Sequence, residues 1–507
     1  TEASETVYWE NTNRDVDEFS CWANATDNEN LHASTETYRV DIARMEDIRM
    51  FWSSATKFSS PSNPTFSNLS WDRMVQVFGR DECWVNERMG WKKLRALAFY
   101  NARFKEIADG GSCFGLSTMA TEFYNGRISP GELEEDALAH ELRPWNSYTE
   151  EYVQARQAGQ LGESALTSMV SQYAAADRDD AGFRVLEQVE RDLIRDDPGI
   201  ISIREGGSGH AVVPWMVRHM HNGDIYIYIY DCNRTSAIRN TDGDLKEDSQ
   251  FPRIVLTPSG WGYVWGSGKT WNDRIMYRSY NTILGNSNEN SLGGTGAPTI
   301  TDHTIPTLWD VVGAFLVGSA DMYFEDEQGR VTGLKNGVLL EEIPGSMCVP
   351  VESGDYTDQE MVLLPGDIDL KANITGNSDD EYYLGVFHGD TVYTVEDKTI
   401  LKNMKDVLTL EQDDSSRYKK LSLQTGSGDD QFAIRMGFDP ETDAQKARKS
   451  YIEREIHFEN VKMPENGKVQ FRLGNTGDDV SVQVESGVLS FDVLVRSSES
   501  LEQLNET

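Results

Sequence analysis

An alternation of apolar and aromatic residues constrains the fold more than any other feature of this chain. It lies in residues 208–231, with the sequence SGHAVVPWMVRHMHNGDIYIYIYD. Runs with a period of two are typical of strands, and the His-Asn-Gly-Asp between them is typical of a tight turn. The stretch therefore predicts an antiparallel hairpin. Because side chains alternate between the faces of a strand, one face is predicted to carry Ile225, Ile227, Ile229, Asp231 and Asn233, and the other the tyrosines with Cys232.

The predicted hairpin brings an imidazole close to a carboxylate. His210 begins the first strand and Asp231 ends the second, so the two side chains are expected to be adjacent. A carboxylate in this position fixes the tautomer of the imidazole and supports its protonated form. The alternative is a core histidine paired with a strand-ending acid, and the hairpin alone does not decide between the two.

A cysteine lies at the predicted start of a helix, in residues 110–126 with the sequence GGSCFGLSTMATEFYNG. Apolar residues recur at steps of three and four, which predicts a buried helix that stops at Asn125 and Gly126. Cys113 would lie in its first turn, where unpaired N–H groups stabilise a thiolate and can hold an oxyanion. A cysteine that merely packs in the core is the alternative interpretation.

The motifs Gly-Ser-Cys-Phe-Gly-Leu-Ser, Gly-His-Ala-Val-Val-Pro and Tyr-Asp-Cys-Asn together resemble those of the papain-like cysteine peptidase superfamily. The similarity is to secreted bacterial and archaeal members with CFGxS, GHAVVP and YDxN motifs, and it covers roughly residues 95–280. It implies a helix with the cysteine packed on an antiparallel sheet with the histidine and the acid. The resemblance implies Cys113 as nucleophile, His210 as general base and Asp231 as orienting acid, with Asn233 as the less favoured substitute for Asp231.

One position departs from the pattern of this superfamily. Papain-like peptidases usually carry a glutamine six residues before the cysteine, and its amide completes the oxyanion hole. Here Ile107 occupies that position, and no glutamine lies between Asn101 and Cys113. The loss of one oxyanion donor lowers the rate about a hundred- to a thousand-fold. The sequence is therefore also compatible with a slow or inactive site.

Changes in the pattern of apolar, polar and turn residues along the chain predict an α+β protein with four parts. They are an N-terminal mixed or helical region (1–95), a papain-like domain (96–283), a linker and connecting segment (284–319), and an all-β sandwich-like domain (320–507). In the papain-like domain, GFRVLEQVERDLIRDDPG predicts a helix and IISIREG a strand. In the last part, the stretch DEQGRVTG…EEIPGS, residues 326–346, resembles a β-sandwich module of secreted prokaryotic proteins, over about residues 320–500. A predicted helix at DPETDAQKARKSYIERE, residues 439–455, interrupts its strands.

The composition limits the classes of partner that the chain is expected to bind. Its formal net charge of −37 disfavours nucleic acid and anionic membranes as partners. Such acidity suits a protein from a high-salt environment, and it equally suits an ordinary soluble surface. No run of about eighteen apolar residues predicts a membrane span. The N-terminal residues lack a signal-peptide pattern, so we expect the mature chain of an extracellular or cell-surface protein.

Several weaker patterns agree with an extracellular protein. With Cys113 kept free, Cys21 and Cys83 are the first candidates for a disulfide, and free thiols throughout are the alternative. Glycosylation sequons occur at Asn24, Asn68, Asn233, Asn373 and Asn505. No cofactor is required; Asp242 and Asp244, in NTDGDLKED, are weak candidates for calcium.

Three functions remain at this point. The first is a secreted papain-like cysteine hydrolase that acts on peptide or amide bonds of a protein or peptide substrate through Cys113, His210 and Asp231. The second is an extracellular structural or adhesive protein, a surface-layer or filament subunit, that self-associates at the cell surface and keeps a vestigial site. The third is transglutaminase-like acyl transfer to an amine.

Overall fold

The computed structural model describes two compact units. The described residues are 37–39, 69–105, 107, 111–135, 142, 147–176, 180–195, 197–206, 208–220, 222–232, 251–265, 269–284, 311–349, 359–366, 368–389, 391–412, 418–438, 450–473, 480–487 and 489–501. The first unit takes its described residues from Thr1–Leu69 and Glu106–His303, and the second from Ser70–Lys105, Thr304–Pro350 and Asp355–Thr507.

The helices are, in chain order, α1 (Trp71–Phe78), α2 (Arg80–Cys83), α3 (Leu94–Phe99), α4 (Cys113–Tyr124), α5 (Pro130–Leu133), α6 (Ser147–Gly159), α7 (Glu163–Ala176), α8 (Ala181–Ile194) and α9 (Tyr280–Leu284). A 3₁₀ turn spans Glu87–Met89, and a π-helical turn, Tyr100–Phe104, directly follows α3. Helix α8 coincides with the predicted GFRVLEQVERDLI segment and buries Val185, Leu186, Val189 and Leu193. Its apolar spacing of three and four residues was therefore sufficient to predict it.

The first ten strands are β1 (Thr37–Arg39), β2 (Trp84–Asn86), β3 (Trp91–Lys92), β4 (Ile200–Glu205), β5 (Ser208–His219), β6 (Ile225–Tyr230), β7 (Arg253–Thr257), β8 (Gly260–Trp265), β9 (Lys269–Trp271) and β10 (Arg274–Arg278). Eight of them form one sheet of the first unit, in the order β10-β4-β5-β6-β7-β8-β9 with β1 also paired with β5, while β2 and β3 belong to the second unit and pair with each other. These pairs are antiparallel. The unit therefore combines helices with an antiparallel sheet, which confirms the α+β class at this level.

The predicted hairpin is formed by β5 and β6. Its strands pair from Val213 opposite Tyr230 to His219 opposite Ile225. The turn is closed by a 2.8 Å hydrogen bond from the Met220 N–H to the Asp224 carbonyl oxygen. The register shifts just after Pro214, as expected where a proline cannot donate to the ladder. Residues on both faces of β6 are buried, so the sheet is covered on both sides here.

The other strands are β11 (Val311–Gly318), β12 (Ala320–Glu325), β13 (Val331–Lys335), β14 (Val338–Glu341), β15 (Met347–Cys348), β16 (Gln359–Pro365), β17 (Leu370–Gly376), β18 (Asp380–His388), β19 (Thr391–Ile400), β20 (Lys405–Gln412), β21 (Tyr418–Gln424), β22 (Asp429–Phe438), β23 (Ser450–Met463), β24 (Lys468–Leu473), β25 (Val480–Ser486) and β26 (Ser490–Leu501). They form two sheets, in the orders β15-β16-β11-β18-β19-β22-β23-β26 and β14-β13-β12-β17-β20-β21-β24-β25.

The two sheets of the second unit share one hydrophobic core. Leu316 and Val386 of the first sheet and Phe324 and Leu408 of the second belong to the same buried cluster. The rings of Phe458, in β23, and Phe471, in β24, lie 4.8 Å apart between centroids. Alternating inward-facing residues of two sheets around a common core give a sandwich-like unit.

Residues 70–105 pack on the first of these two sheets. The Phe99 ring meets Phe315 of β11 edge to face, with centroids 6.0 Å apart. A Cβ placed on Gly437 of β22 would lie only 2.2 Å from Leu94 Cδ2, so the helix approaches the strand closely. The structure thus differs from the predicted boundary at residue 96: α3 and the π-helical turn belong with the β-rich unit.

Two other expectations about the second half of the chain also change. The predicted helix at residues 439–455 is wrong for its described part, because Ser450–Glu455 begin strand β23, between β22 and β26. Pairing with two strands overrides the helical preference of its charged residues. The β-rich unit already includes β11, which begins at Val311 rather than at residue 320. Of the predicted linker and connecting segment, 284–319, Leu284 ends α9 and residues 285–310 lie outside the described residues.

Candidate active site

Cys113 occupies the first position of helix α4. Ser112 is the N-cap, and all twelve residues of the helix are buried. The Cys113 side chain is 6 % exposed. The prediction that this cysteine lies in the first turn of a buried helix is therefore confirmed.

Two hydrogen bonds fix helix α4 to its neighbours. Ser117 Oγ donates to the carbonyl oxygen of Ala211, in β5, at 3.1 Å. The Gly115 N–H donates to Gln157 Oε1, in α6, at 2.8 Å. A Cβ on Gly115 would lie 2.3 Å from the carbonyl oxygen of Val153, so only glycine permits this contact between α4 and α6. Cys113 is thus held in place from two sides.

His210 lies in β5, opposite Ile203 of β4, and is 3 % exposed. Its Nε2 is 2.9 Å from Asp231 Oδ1. The Cys113 side chain is also hydrogen-bonded to this imidazole. Because Nε2 faces the carboxylate, Nδ1 is the ring nitrogen left for the thiol. One imidazole therefore joins the cysteine of the helix to the carboxylate that follows β6.

The surroundings of His210 favour its protonated form. Burial by itself would lower the pKa of this imidazole. The charge and hydrogen bond of Asp231, together with the interaction with Cys113, outweigh burial and raise the pKa of His210 to about 10. A protonated imidazole next to a thiol stabilises the thiolate. The geometry and the charges thus favour an imidazolium form of His210 beside the Cys113 side chain.

Tyr263 completes the hydrogen bonding of the carboxylate. Asp231 is fully buried, and its Oδ2 accepts a hydrogen bond from the Tyr263 hydroxyl, in β8. With Oδ1 facing His210, both oxygens of the carboxylate have partners, as a buried carboxylate requires. Tyr263 was not predicted from the sequence. In the sequence it is one of several aromatic residues in GWGYVW, and nothing distinguishes it from them.

Trp271 covers the imidazole. Its ring centroid lies 6.1 Å from that of His210, at an interplanar angle of 45°, and its side chain is 5 % exposed. This residue, in β9, was also missed. Shielding from water strengthens the interaction between His210 and Asp231, since electrostatic interactions grow as the local dielectric constant falls.

A second cysteine follows Asp231 directly. Cys232 is fully buried. Burial, then the negative charges of Cys113 and Asp231, raise the pKa of its thiol well above the ordinary value. Burial and the neighbouring negative charges therefore favour the protonated form of the Cys232 thiol.

The remaining candidate residues lie elsewhere. Asn233, Asp242, Asp244, Cys21, Asn24, Asn68 and Asn505 are outside the described residues. The proposed partner of Cys21, Cys83, is buried at the end of α2. Asn373 lies in β17 with its side chain fully buried, which leaves no room for a glycan and contradicts glycosylation there. Within the described part of the chain, no three His, Cys, Asp or Glu side chains form a group able to hold a metal.

Comparison with known proteins identified no relative of this chain. Neither the family models, nor the curated proteins, nor the solved structures gave a significant match. Among the described helices, none is long and apolar enough to cross a bilayer. Inferences about function therefore rest on the arrangement of Cys113, His210 and Asp231.

Proposed function

We propose that this protein is an extracellular cysteine hydrolase that cleaves peptide or amide bonds, with a papain-like arrangement of its site. One observation carries the proposal: the buried imidazole of His210 is hydrogen-bonded to Cys113 and lies 2.9 Å from Asp231. Nucleophile, base and orienting acid within hydrogen-bond reach of one another are the requirement for covalent acyl chemistry.

The chemistry follows from these contacts. The Cys113 thiolate attacks the carbonyl carbon of the substrate, and the C=O electron pair moves onto oxygen. Collapse of this tetrahedral intermediate breaks the C–N bond, and protonated His210 gives its proton to the departing amine. Neutral His210 then removes a proton from water, which attacks the thioester and releases the acid. As the C–S bond breaks, the Cys113 thiolate is released and His210 keeps the proton taken from water, which restores the starting state.

Asp231 and its neighbours support His210 through both half-reactions. The carboxylate holds Nε2, so Nδ1 stays directed at the thiol when the ring is neutral. When the ring is protonated, the charge of Asp231 stabilises it. Tyr263 fixes the other carboxylate oxygen, and Trp271 covers the imidazole. The two aromatic residues act through Asp231 and His210 and are positioning residues.

Selective alkylation tests the proposal. Iodoacetamide at low concentration and about pH 6, where an ordinary thiol with a pKa of about 8.5 is almost fully protonated, should label Cys113 before any other cysteine. Peptide mass mapping identifies the labelled site, and Cys113→Ala should lose that rapid phase. Cys232→Ala is the matched control and should keep it. Labelling of Cys113 at the rate of an ordinary thiol would favour a structural or adhesive protein with a vestigial site.

A further inference from the structure

The proposed chemistry needs hydrogen-bond donors for the oxyanion. The glutamine that papain-like peptidases place before the cysteine is replaced by Ile107, which is 1 % exposed. The N–H groups in the first turn of α4, a helix of twelve residues, can supply one donor. A second donor has to come from another group next to Cys113.

Ser112 directly precedes the nucleophile and is in an unusual state for an N-cap residue. An N-cap serine ordinarily accepts a hydrogen bond from the N–H two or three residues further on. Ser112 makes no such bond. Its side chain is 2 % exposed, and its Oγ has no hydrogen-bond partner among the described residues. A buried hydroxyl without a partner is rare in folded proteins.

Gln157 explains why the Ser112 hydroxyl makes no capping hydrogen bond. The N–H that Ser112 would cap, that of Gly115, donates to Gln157 Oε1 at 2.8 Å. Gln157 is fully buried in α6 and so takes over the capping of α4 from a different element. The Ser112 hydroxyl is left at the positive end of the helix, next to the nucleophile, where a developing negative charge would be stabilised.

We propose that Ser112 Oγ–H is an oxyanion donor of this site, which replaces the missing glutamine; this inference rests on the proposed function. As the Cys113 Sγ–C bond forms, the carbonyl oxygen becomes an oxyanion and accepts hydrogen bonds from Ser112 Oγ–H and from the first turn of α4. Ser112 keeps its proton throughout. When the C=O bond forms again and the C–N bond breaks, the leaving amine takes its proton from His210. The substrate class is any acyl compound with a carbonyl oxygen, peptides and amides included.

Two reagents separate this role from a structural one. Iodoacetamide alkylates Cys113 by displacement of iodide and forms no oxyanion. p-Nitrophenyl acetate acylates it through a tetrahedral oxyanion. In Ser112→Ala, acylation of Cys113 should fall about a hundred- to a thousand-fold, while alkylation at about pH 6 stays unchanged. Ser112→Thr, which keeps a hydroxyl, should restore much of the acylation rate.

The control is Ser171→Ala, an exposed serine of α7, which should alter neither rate. Equal acylation of the wild type and Ser112→Ala would overturn the role of Ser112 and leave the proposed function intact. A parallel loss of both reactions in Ser112→Ala would also overturn it, since that result marks a structural role. Slow alkylation of wild-type Cys113 would overturn the proposed function, and this inference with it.

Discussion

Ser117 Oγ donates a 3.1 Å hydrogen bond to the carbonyl oxygen of Ala211, and this contact joins the helix of Cys113 to the strand of His210. Ser117 lies one turn after Cys113, and Ala211 follows His210 directly. Because Ser117 is fully buried, water cannot replace the bond. The distance between thiol and imidazole therefore depends on a side chain that takes no part in the chemistry.

Ser117→Ala should weaken both the fold and the site. We expect the free energy of unfolding to fall by about 1 kcal/mol, the typical net value of one hydrogen bond. Alkylation of Cys113 at about pH 6 should slow as the thiol and imidazole separate. Urea unfolding and the iodoacetamide rate measure the two effects. Full alkylation rate in a destabilised Ser117→Ala would show that the bond does not set the position of the thiol.

The charge of Asp231 predicts a pH dependence of stability. His210 has a pKa of about 10 in the fold and an ordinary value of 6.5 when unfolded. The folded chain therefore binds this proton more tightly, and the stabilisation is complete below about pH 6.5 and lost as the pH rises towards 10. The difference in free energy of unfolding between wild type and Asp231→Asn should shrink over this range. Urea unfolding at several pH values measures it, and a constant difference would contradict the prediction.

Asp231→Asn should also change the reactivity of Cys113. Without the carboxylate, the protonated form of His210 loses its main support. A neutral imidazole stabilises a neighbouring thiolate less than a protonated one does. The alkylation rate at about pH 6 should fall, and the rise of the rate with pH should move to higher pH. His210→Ala should shift it further. If all three proteins share one pH profile, these residues are not coupled.

Tyr263→Phe tests the positioning role of Tyr263. The variant leaves Asp231 Oδ2 without this donor in a fully buried position, which should cost about 1–3 kcal/mol of stability. The pH profile of Cys113 alkylation should shift in the same direction as in Asp231→Asn, by a smaller amount. Tyr226→Phe, in the partly exposed part of β6, is a matched control and should leave the profile unchanged.

Gly115→Ala should destabilise the contact between α4 and α6. The added Cβ would lie 2.3 Å from the Val153 carbonyl oxygen, a backbone atom that cannot rotate away. We expect a loss of about 1–3 kcal/mol, typical of overpacking in a core. Gly131→Ala, in exposed α5, meets only Ser129 Oγ at 4.0 Å and should have little effect. Thermal unfolding compares the two, and similar melting temperatures would show that the helices can move apart.

The structural elements that could be predicted from the sequence are those determined by residues close to one another along the chain. The hairpin of His210 and Asp231 follows from the alternation of Ile and Tyr and from a turn with glycine at positive φ, and both act within about twenty residues. The helix of Cys113 follows from its apolar spacing. These two elements account for the positions of Cys113, His210 and Asp231.

The parts that were missed depend on contacts between distant segments. Tyr263 and Trp271 reach the site only because β8 and β9 continue the sheet beyond β7, and strand order is not encoded in either strand. The predicted helix at Ser450–Glu455 becomes a strand because two neighbours pair with it. Likewise, the predicted boundary at residue 96 separates Leu94 from Phe99, and only their partners in β22 and β11 show that both residues pack on the same sheet.

The packing of Leu94 on Gly437 has a consequence for biosynthesis. At about 5–20 residues per second, the ribosome reaches β22 tens of seconds after it has made α3. Until β22 is made, the apolar surface of residues 70–105 lacks part of the sheet that covers it, while synthesis of residues 106–284, which contain the Cys113 site, ends well before β22 begins. The nascent chain therefore exposes the apolar surface of residues 70–105 after synthesis of residues 106–284 is complete. Chaperone binding during translation should concentrate on residues 70–105.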